Sequence, residues 1–105
     1  MELNDNNFED EVLGEEGIVF VDFWGSWCLA CQQMKPIIKQ LKEEIGDRVK
    51  ICHINIDKNR TTADRFEIEE TPTHILFRDG DVVERLHASR TKNQLKKMIE
   101  KHIDR

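Results

Sequence analysis

A chain of 105 residues has the length of one small domain and can bury one modest core. Hydrophobic residues at 38% and charged residues at 35% make a mixture that disordered chains lack, and no apolar run approaches the roughly 18 residues of a membrane span. The net charge of −5, with no basic run or stripe, excludes a phosphate backbone as the expected partner and leaves a weakly acidic, solubilising surface.

The opening Met1-Glu2-Leu3-Asn4-Asp5 is polar and acidic, without the basic and apolar regions of a signal peptide. The expected location is therefore cytoplasmic, although a mature secreted chain would read the same way. Phe8 and Val12 mark an early helix. Ile18 to Trp24 is a β-branched and aromatic run that reads as a buried strand. Met34, Ile37, Ile38, Leu41 and Ile45 then recur at helical spacing and predict a helix from about Cys28 to Ile45. Pro36 lies inside it and should kink it by deleting one ladder bond.

Val49 to Asp57 is the next strand. Apolar residues occupy both of its alternating sets, so both faces should be covered. Asn59 is positioned to cap a short helix carrying Ala63 and Phe66. Thr73 to Phe77 and Val82 to Leu86 read as a hairpin around Asp79-Gly80, a strong turn signal. Thr91-x-x-Gln94 forms a capping box that opens a last helix, with Leu95, Met98, Ile99 and His102 on one stripe. The whole predicts a single domain over residues 1–105, an α/β sheet with helices on both faces.

The chemistry centres on Cys28-Leu29-Ala30-Cys31, placed where a strand gives way to a helix. Residues i and i+3 of a helical turn lie about 5 Å apart, within disulfide range. Cys28 falls at the helix N-terminus, where unpaired N–H groups and the macrodipole favour an anion and lower the thiol pKa. Cys31, one turn in, is more sheltered. The division of labour is Cys28 as attacking thiolate and Cys31 as resolving thiol. Three cysteines are too few for a disulfide scaffold. A structural zinc needs four ligands, and only Cys52 and four scattered histidines remain, so no metal and no cofactor beyond the cysteine pair is expected. Cys52 reads as a small core residue. An inert disulfide in so small a ring would restrain little chain.

Val21-Asp22-Phe23-Trp24-Gly25-Ser26-Trp27-Cys28, Cys31 to Pro36, Ile54 to Asp57, Thr71-Pro72-Thr73, Phe77 to Gly80 and the final Gln94 to Ile99 helix resemble the thioredoxin family in order and spacing. The resemblance covers nearly the whole chain. It implies a central mixed sheet flanked by helices and a protein-disulfide reductase acting through Cys28 and Cys31. It also implies disulfide-containing protein substrates and a thioredoxin reductase, linked to NADPH or ferredoxin, as partners. A monomer is expected, with no nucleic acid or membrane partner. The alternatives are a binding or chaperone module on this fold, and a thiol oxidase or isomerase with a shifted potential.

The resemblance further implies that Thr71-Pro72 is a cis-proline loop beside the disulfide, offering hydrogen bonds to an extended peptide. Trp27 is expected on the docking surface. Asp22, an odd carboxylate in an apolar strand, matches the family aspartate that helps move the resolving proton, and its burial should raise its pKa. His53 stands where the family usually has lysine and could pair with Asp22, titrating nearer neutral pH. His74 and His87 replace apolar residues common in the family and, with His102, read as surface or packing. Leu29-Ala30 replaces the usual Gly-Pro, Thr71 the usual isoleucine, and Ala88 falls where glycine is frequent.

Overall fold

The computed structural model describes residues 1–103; the last two residues of the expected domain lie outside the described part. Five strands form one mixed sheet in the order β1-β3-β2-β4-β5. These are β1 (Glu2–Leu3), β2 (Ile18–Trp24), β3 (Lys50–Asn55), β4 (Thr73–Arg78) and β5 (Asp81–His87). β2 pairs parallel with β3 and antiparallel with β4, and β1 adds a parallel edge beside β3. The two-residue β1 is too short to leave a periodic signal, which is why it is absent from the sequence prediction.

Alternation along the strands divides the core in two. Val19, Val21 and Phe23 of β2 point to the side where Phe8, Val12 and Ala63 lie. Phe20 points to the opposite side, against Met34, Ile38 and Leu41 of α1 (Leu29–Ile45) and Leu95 and Ile99 of α3 (Lys92–Ile103). Cys52 and Ile54 of β3 join the first cluster and Ile51 the second, so β3 is covered on both faces as expected. Cys52 is fully buried, and burial pushes its thiol pKa up. The early helix is a wide helical turn, Glu9–Leu13, in which the Gly14 N–H donates to Glu9 O at 2.8 Å.

The strong turn signals are realised. Asp79 and Gly80 both take the left-handed conformation that a tight hairpin needs, at φ 49° and 86°. Thr91 N–H donates to Gln94 Oε1 at 2.9 Å and Gln94 N–H to Thr91 Oγ1 at 3.1 Å, completing the capping box of α3. One expectation is corrected. Asn59 precedes α2 (Arg60–Arg65) but its side chain does not cap it. Its amide donates to Asn55 O and its carbonyl accepts from Asp5 N–H. The capping acceptor comes from the N-terminus instead: Asp5 Oδ1 accepts from Thr62 N–H and from the Thr62 hydroxyl, at 2.9 and 2.7 Å.

Candidate active site

β2 ends at Trp24, and after Gly25, Ser26 and Trp27 the chain enters α1 through Cys28, so the strand delivers Cys28 to the helix N-terminus. Cys28 is the N-cap itself. Its Sγ accepts the Cys31 N–H at 3.1 Å, one of the donors that the first helical turn leaves unpaired. The same N–H would stabilise a thiolate after reduction. Cys28 and Cys31 are joined as a disulfide, with Cα atoms 5.2 Å apart. Cys28 is partly exposed and Cys31 is 4% exposed, so only one sulfur faces a partner.

The loop before the pair is tied down by polar side chains. Asp57 Oδ2 accepts the Ser26 N–H at 2.8 Å, and Asn55 donates to Ser26 Oγ at 3.1 Å. Asn55 Oδ1 in turn accepts the Asp57 N–H at 2.8 Å. Gly25 lies between the two loops, and a Cβ there would meet Thr71 Oγ1 at 3.4 Å and Asp57 Oδ2 at 3.6 Å, ordinary contact distances.

The Thr71–Pro72 peptide bond is cis. Thr71, Trp27, Ile56 and Asp57 line a groove of about 300 Å³ beside Cys28. Trp27 is 97% exposed and Leu29 68% exposed, a pair of large apolar side chains flanking the partly exposed sulfur. Trp24 instead packs within the site: its indole donates to Glu2 and Lys35 lies over its ring.

Ala88 N–H donates to Pro72 O at 2.9 Å while its own φ is 65°, a region that disfavours a β-carbon. Ala→Gly usually costs about 0.5–1 kcal/mol. Here the relief of the left-handed conformation offsets that cost. Ala88→Gly is expected to leave the thermal midpoint unchanged or raised. A fall of several degrees in a calorimetric scan would mean that the backbone is unstrained at Ala88.

Cys31 also lines a cavity of about 310 Å³, together with Asp22, His53, Lys35, Lys39 and Lys42. Asp22 is 5% exposed. Its Oδ2 lies 3.2 Å from His53 Nδ1, which is the pairing expected from the sequence. Its Oδ1 lies 3.2 Å from His74 Nε2, which is not. The sequence reading assigns His74 to surface or packing; it is fully buried and stacked on Phe20, beside the carboxylate. Its signal was available in register: β4 runs antiparallel to β2, and His74 pairs directly with Asp22.

The expected rise in the Asp22 pKa is not found. Burial pushes the carboxyl up, but the hydrogen bond with His53 and the closeness of both imidazoles outweigh it and hold it below the ordinary 3.8. His87 is half-exposed, 3.7 Å from Glu70, and His102 pairs with Glu84 at the far end of α3. Among the described residues, no cluster of three or more His, Cys, Asp or Glu side chains is arranged to hold a metal ion.

The thioredoxin family model matches residues 1–101. The chain belongs to the thioredoxin family. It is 34% identical to "Thioredoxin" of Bacillus subtilis (strain 168) over 103 residues, covering 98% of this chain and 97% of the relative. It is 35% identical to "Thioredoxin" of Listeria monocytogenes over 102 residues, with 97% of each chain covered. The same identity holds to "Thioredoxin" of Chlorobaculum thiosulfatiphilum, over 97% of this chain and 94% of the relative. Membership and the bonded pair at the head of α1 make the molecule a thiol–disulfide oxidoreductase, with disulfide-bearing proteins as substrates and a reductase as electron source. The mixed sheet with helices on both faces is the thioredoxin fold. No helix among the described residues is long and apolar enough to cross a membrane.

Proposed function

We propose that the protein is a cytoplasmic, monomeric, single-domain reductase of protein disulfides in which Cys28 attacks, Cys31 resolves, and Asp22 with His53 carries away the resolving proton. The observation that carries the reading is the asymmetry of the pair: the partly exposed sulfur caps a helix, and the buried one shares a cavity with a buried carboxylate.

The reaction runs in two displacements. The Cys28 thiolate attacks one sulfur of the substrate disulfide; a Cys28–substrate bond forms, and the other substrate sulfur leaves as a thiolate that takes a proton from water. Cys31 then loses its proton and attacks the Cys28 sulfur. The Cys28–Cys31 bond forms, the mixed disulfide breaks, and the second substrate sulfur leaves as a thiolate that takes a proton from water. The substrate disulfide gains two electrons and the Cys28–Cys31 dithiol loses two, which a thioredoxin reductase restores at the expense of NADPH or ferredoxin. No cofactor beyond the pair is needed.

In the first step Trp27, Thr71 and Pro72 hold the substrate chain extended against the groove beside Cys28. Backbone pairing along Thr71-Pro72 supplies affinity, and exposed Trp27 supplies apolar contact. In the second step a proton at Cys31 cannot reach the docking face, because the substrate covers it. Asp22 accepts the proton on the cavity side. His53, hydrogen-bonded to Asp22 Oδ2 at 3.2 Å, passes it out at the cavity mouth.

Insulin disulfide reduction tests the reading. Wild-type protein should reduce insulin catalytically and Cys28→Ser should not. Brief alkylation of the reduced protein at neutral pH should label Cys28 first. Equal turnover by Cys28→Ser, or first labelling of Cys31 or Cys52, would overturn the assignment. The measured redox potential separates a reductase from an oxidase or isomerase.

A further inference from the structure

One register row crosses the sheet: Glu2 on β1, His53 on β3, Asp22 on β2, His74 on β4 and Leu86 on β5. All five side chains stand on the same face as Phe20, the face covered by α1 and α3, because strand side chains alternate and register neighbours share a face. The row therefore alternates carboxylate and imidazole and then ends on an apolar residue. It is exposed at Glu2, partly exposed at His53 and closed at Asp22 and His74.

His74 is costly to keep where it is. The ring has no solvent exposure and is stacked on Phe20 at 5.3 Å between centroids. Neither ring nitrogen makes an aligned hydrogen bond, and nor does Asp22 Oδ1, although Nε2 and Oδ1 are 3.2 Å apart. A buried polar group without an aligned partner is destabilising, and an apolar side chain would suit the surrounding Phe20, Leu76 and Leu86 better. The carboxylate 3.2 Å away is the group on which the ring can act.

We propose that His74 is a positioning residue for Asp22: from the closed end of the row it holds the carboxylate charged and in place on the cavity wall, leaving Oδ2 and His53 to handle the proton from Cys31. The inference rests on the proposed role of Asp22 and assigns a part to a residue outside the cysteine pair, its loops and the docking face. Two imidazoles on one buried carboxylate divide the work. His53 opens to the cavity and exchanges with solvent, whereas His74 has no such route.

The charged groups facing this row are few. Glu2 approaches from β1, and Lys35, Lys39 and Lys42 approach from α1 across the cavity. Beyond Leu86, Glu84, Arg90, Lys97, Glu100 and Lys101 line a separate groove between β5 and α3. No charged residue of that groove pairs with His74 among the described residues. Asp22 is thus the group through which His74 acts.

The test is the pH dependence of mixed-disulfide resolution, followed in single turnover with a Cys28-linked thionitrobenzoate, for the wild type, His74→Leu, His74→Gln, Asp22→Asn and the double variant Asp22→Asn/His74→Leu. His74→Leu should move the acid limb up by about one unit, a loss of roughly tenfold on the acid side and none on the alkaline side. His74→Gln, which keeps a polar side chain beside Oδ1, should fall between. In the Asp22→Asn background, His74→Leu should change nothing further. An unmoved acid limb in folded His74→Leu, a slowing uniform in pH, or an equal effect in the Asp22→Asn background would overturn the inference. If Asp22→Asn itself resolves at the wild-type rate at every pH, the failure lies in the role of Asp22 and takes this inference with it. Should His74→Leu not fold, His74→Gln carries the test, and an acid limb unmoved from that of the wild type overturns the inference.

Discussion

Replacing Cys31 with serine should freeze the protein on its substrate. Cys28 remains at the head of α1, with the residue-31 N–H still available to its sulfur, so attack proceeds and the mixed disulfide forms. Nothing then expels the substrate. In the wild type the resolving thiol is held one helical turn away, with Cα atoms 5.2 Å apart. Positioned intramolecular reactions reach effective molarities of about 10⁵ M and above. An external thiol at ordinary concentrations cannot match that, so steady-state insulin reduction should fall by at least roughly 10³-fold. Intact mass spectrometry should find Cys31→Ser covalently joined to its substrate and Cys28→Ser with none. Turnover within tenfold of the wild type would mean that another thiol resolves. Cys52 is the remaining cysteine, fully buried in the core cluster on the opposite side of the sheet from α1. Its burial and raised thiol pKa argue against that route.

The same geometry separates attack from release. Attack needs a sulfur that a bulky partner can reach, and the surface around Cys28 supplies Trp27 and Leu29 as exposed apolar contacts. Release needs a sulfur close to Cys28 yet shielded from the partner, and the first turn of α1 turns Cys31 into the core. Helix periodicity alone produces both, because i and i+3 are close while only one of them sits at the open end. Leu29 and Ala30 lie between them without altering that spacing.

Most of this was legible in the amino-acid order. The runs with a clear period, Ile18–Trp24 and the helix through Ile45, gave both the strand and the helix that bracket Cys28, since their apolar faces have no other way to be buried. Asp79-Gly80 and Thr91/Gln94 carry their own local geometry and needed no tertiary information. What escaped was set by partners distant in sequence. Asn59 has the chemistry of a cap, but Asp5, 57 residues from Thr62, reaches the helix end first. His74 has the chemistry of a surface residue, and only the antiparallel register of β2 and β4 puts it against Asp22. The Asp22 pKa escaped for the same reason: the imidazoles of His53 and His74 beside the carboxylate outweigh its burial.

Replacing Asp22 with asparagine should separate proton transfer from the rest of the reaction. The substitution keeps size and shape but removes the acceptor from the cavity wall it shares with Cys31. A positioned general base contributes about 10²–10⁴-fold, so resolution of a trapped mixed disulfide should slow by roughly 10²-fold or more. Alkylation of Cys28 should be little changed, because its sulfur is activated by the helix end and the Cys31 N–H, not by Asp22. His53→Lys gives the complementary result. A lysine beside Oδ2 holds the carboxylate charged at every working pH but does not release a proton near neutrality, so resolution should lose its dependence on pH between about 6 and 8, where histidine titrates. Stability reports on the same carboxylate independently. A carboxyl whose folded pKa is depressed contributes stability that is in place above its ordinary 3.8 and lost as the pH falls through the folded value. Wild-type unfolding free energy should therefore drop below pH 3.8 with a component absent from Asp22→Asn. If Asp22→Asn and His53→Lys both resolve the mixed disulfide at the wild-type rate between about pH 6 and 8, the proton leaves Cys31 by another route and the buried carboxylate is purely structural.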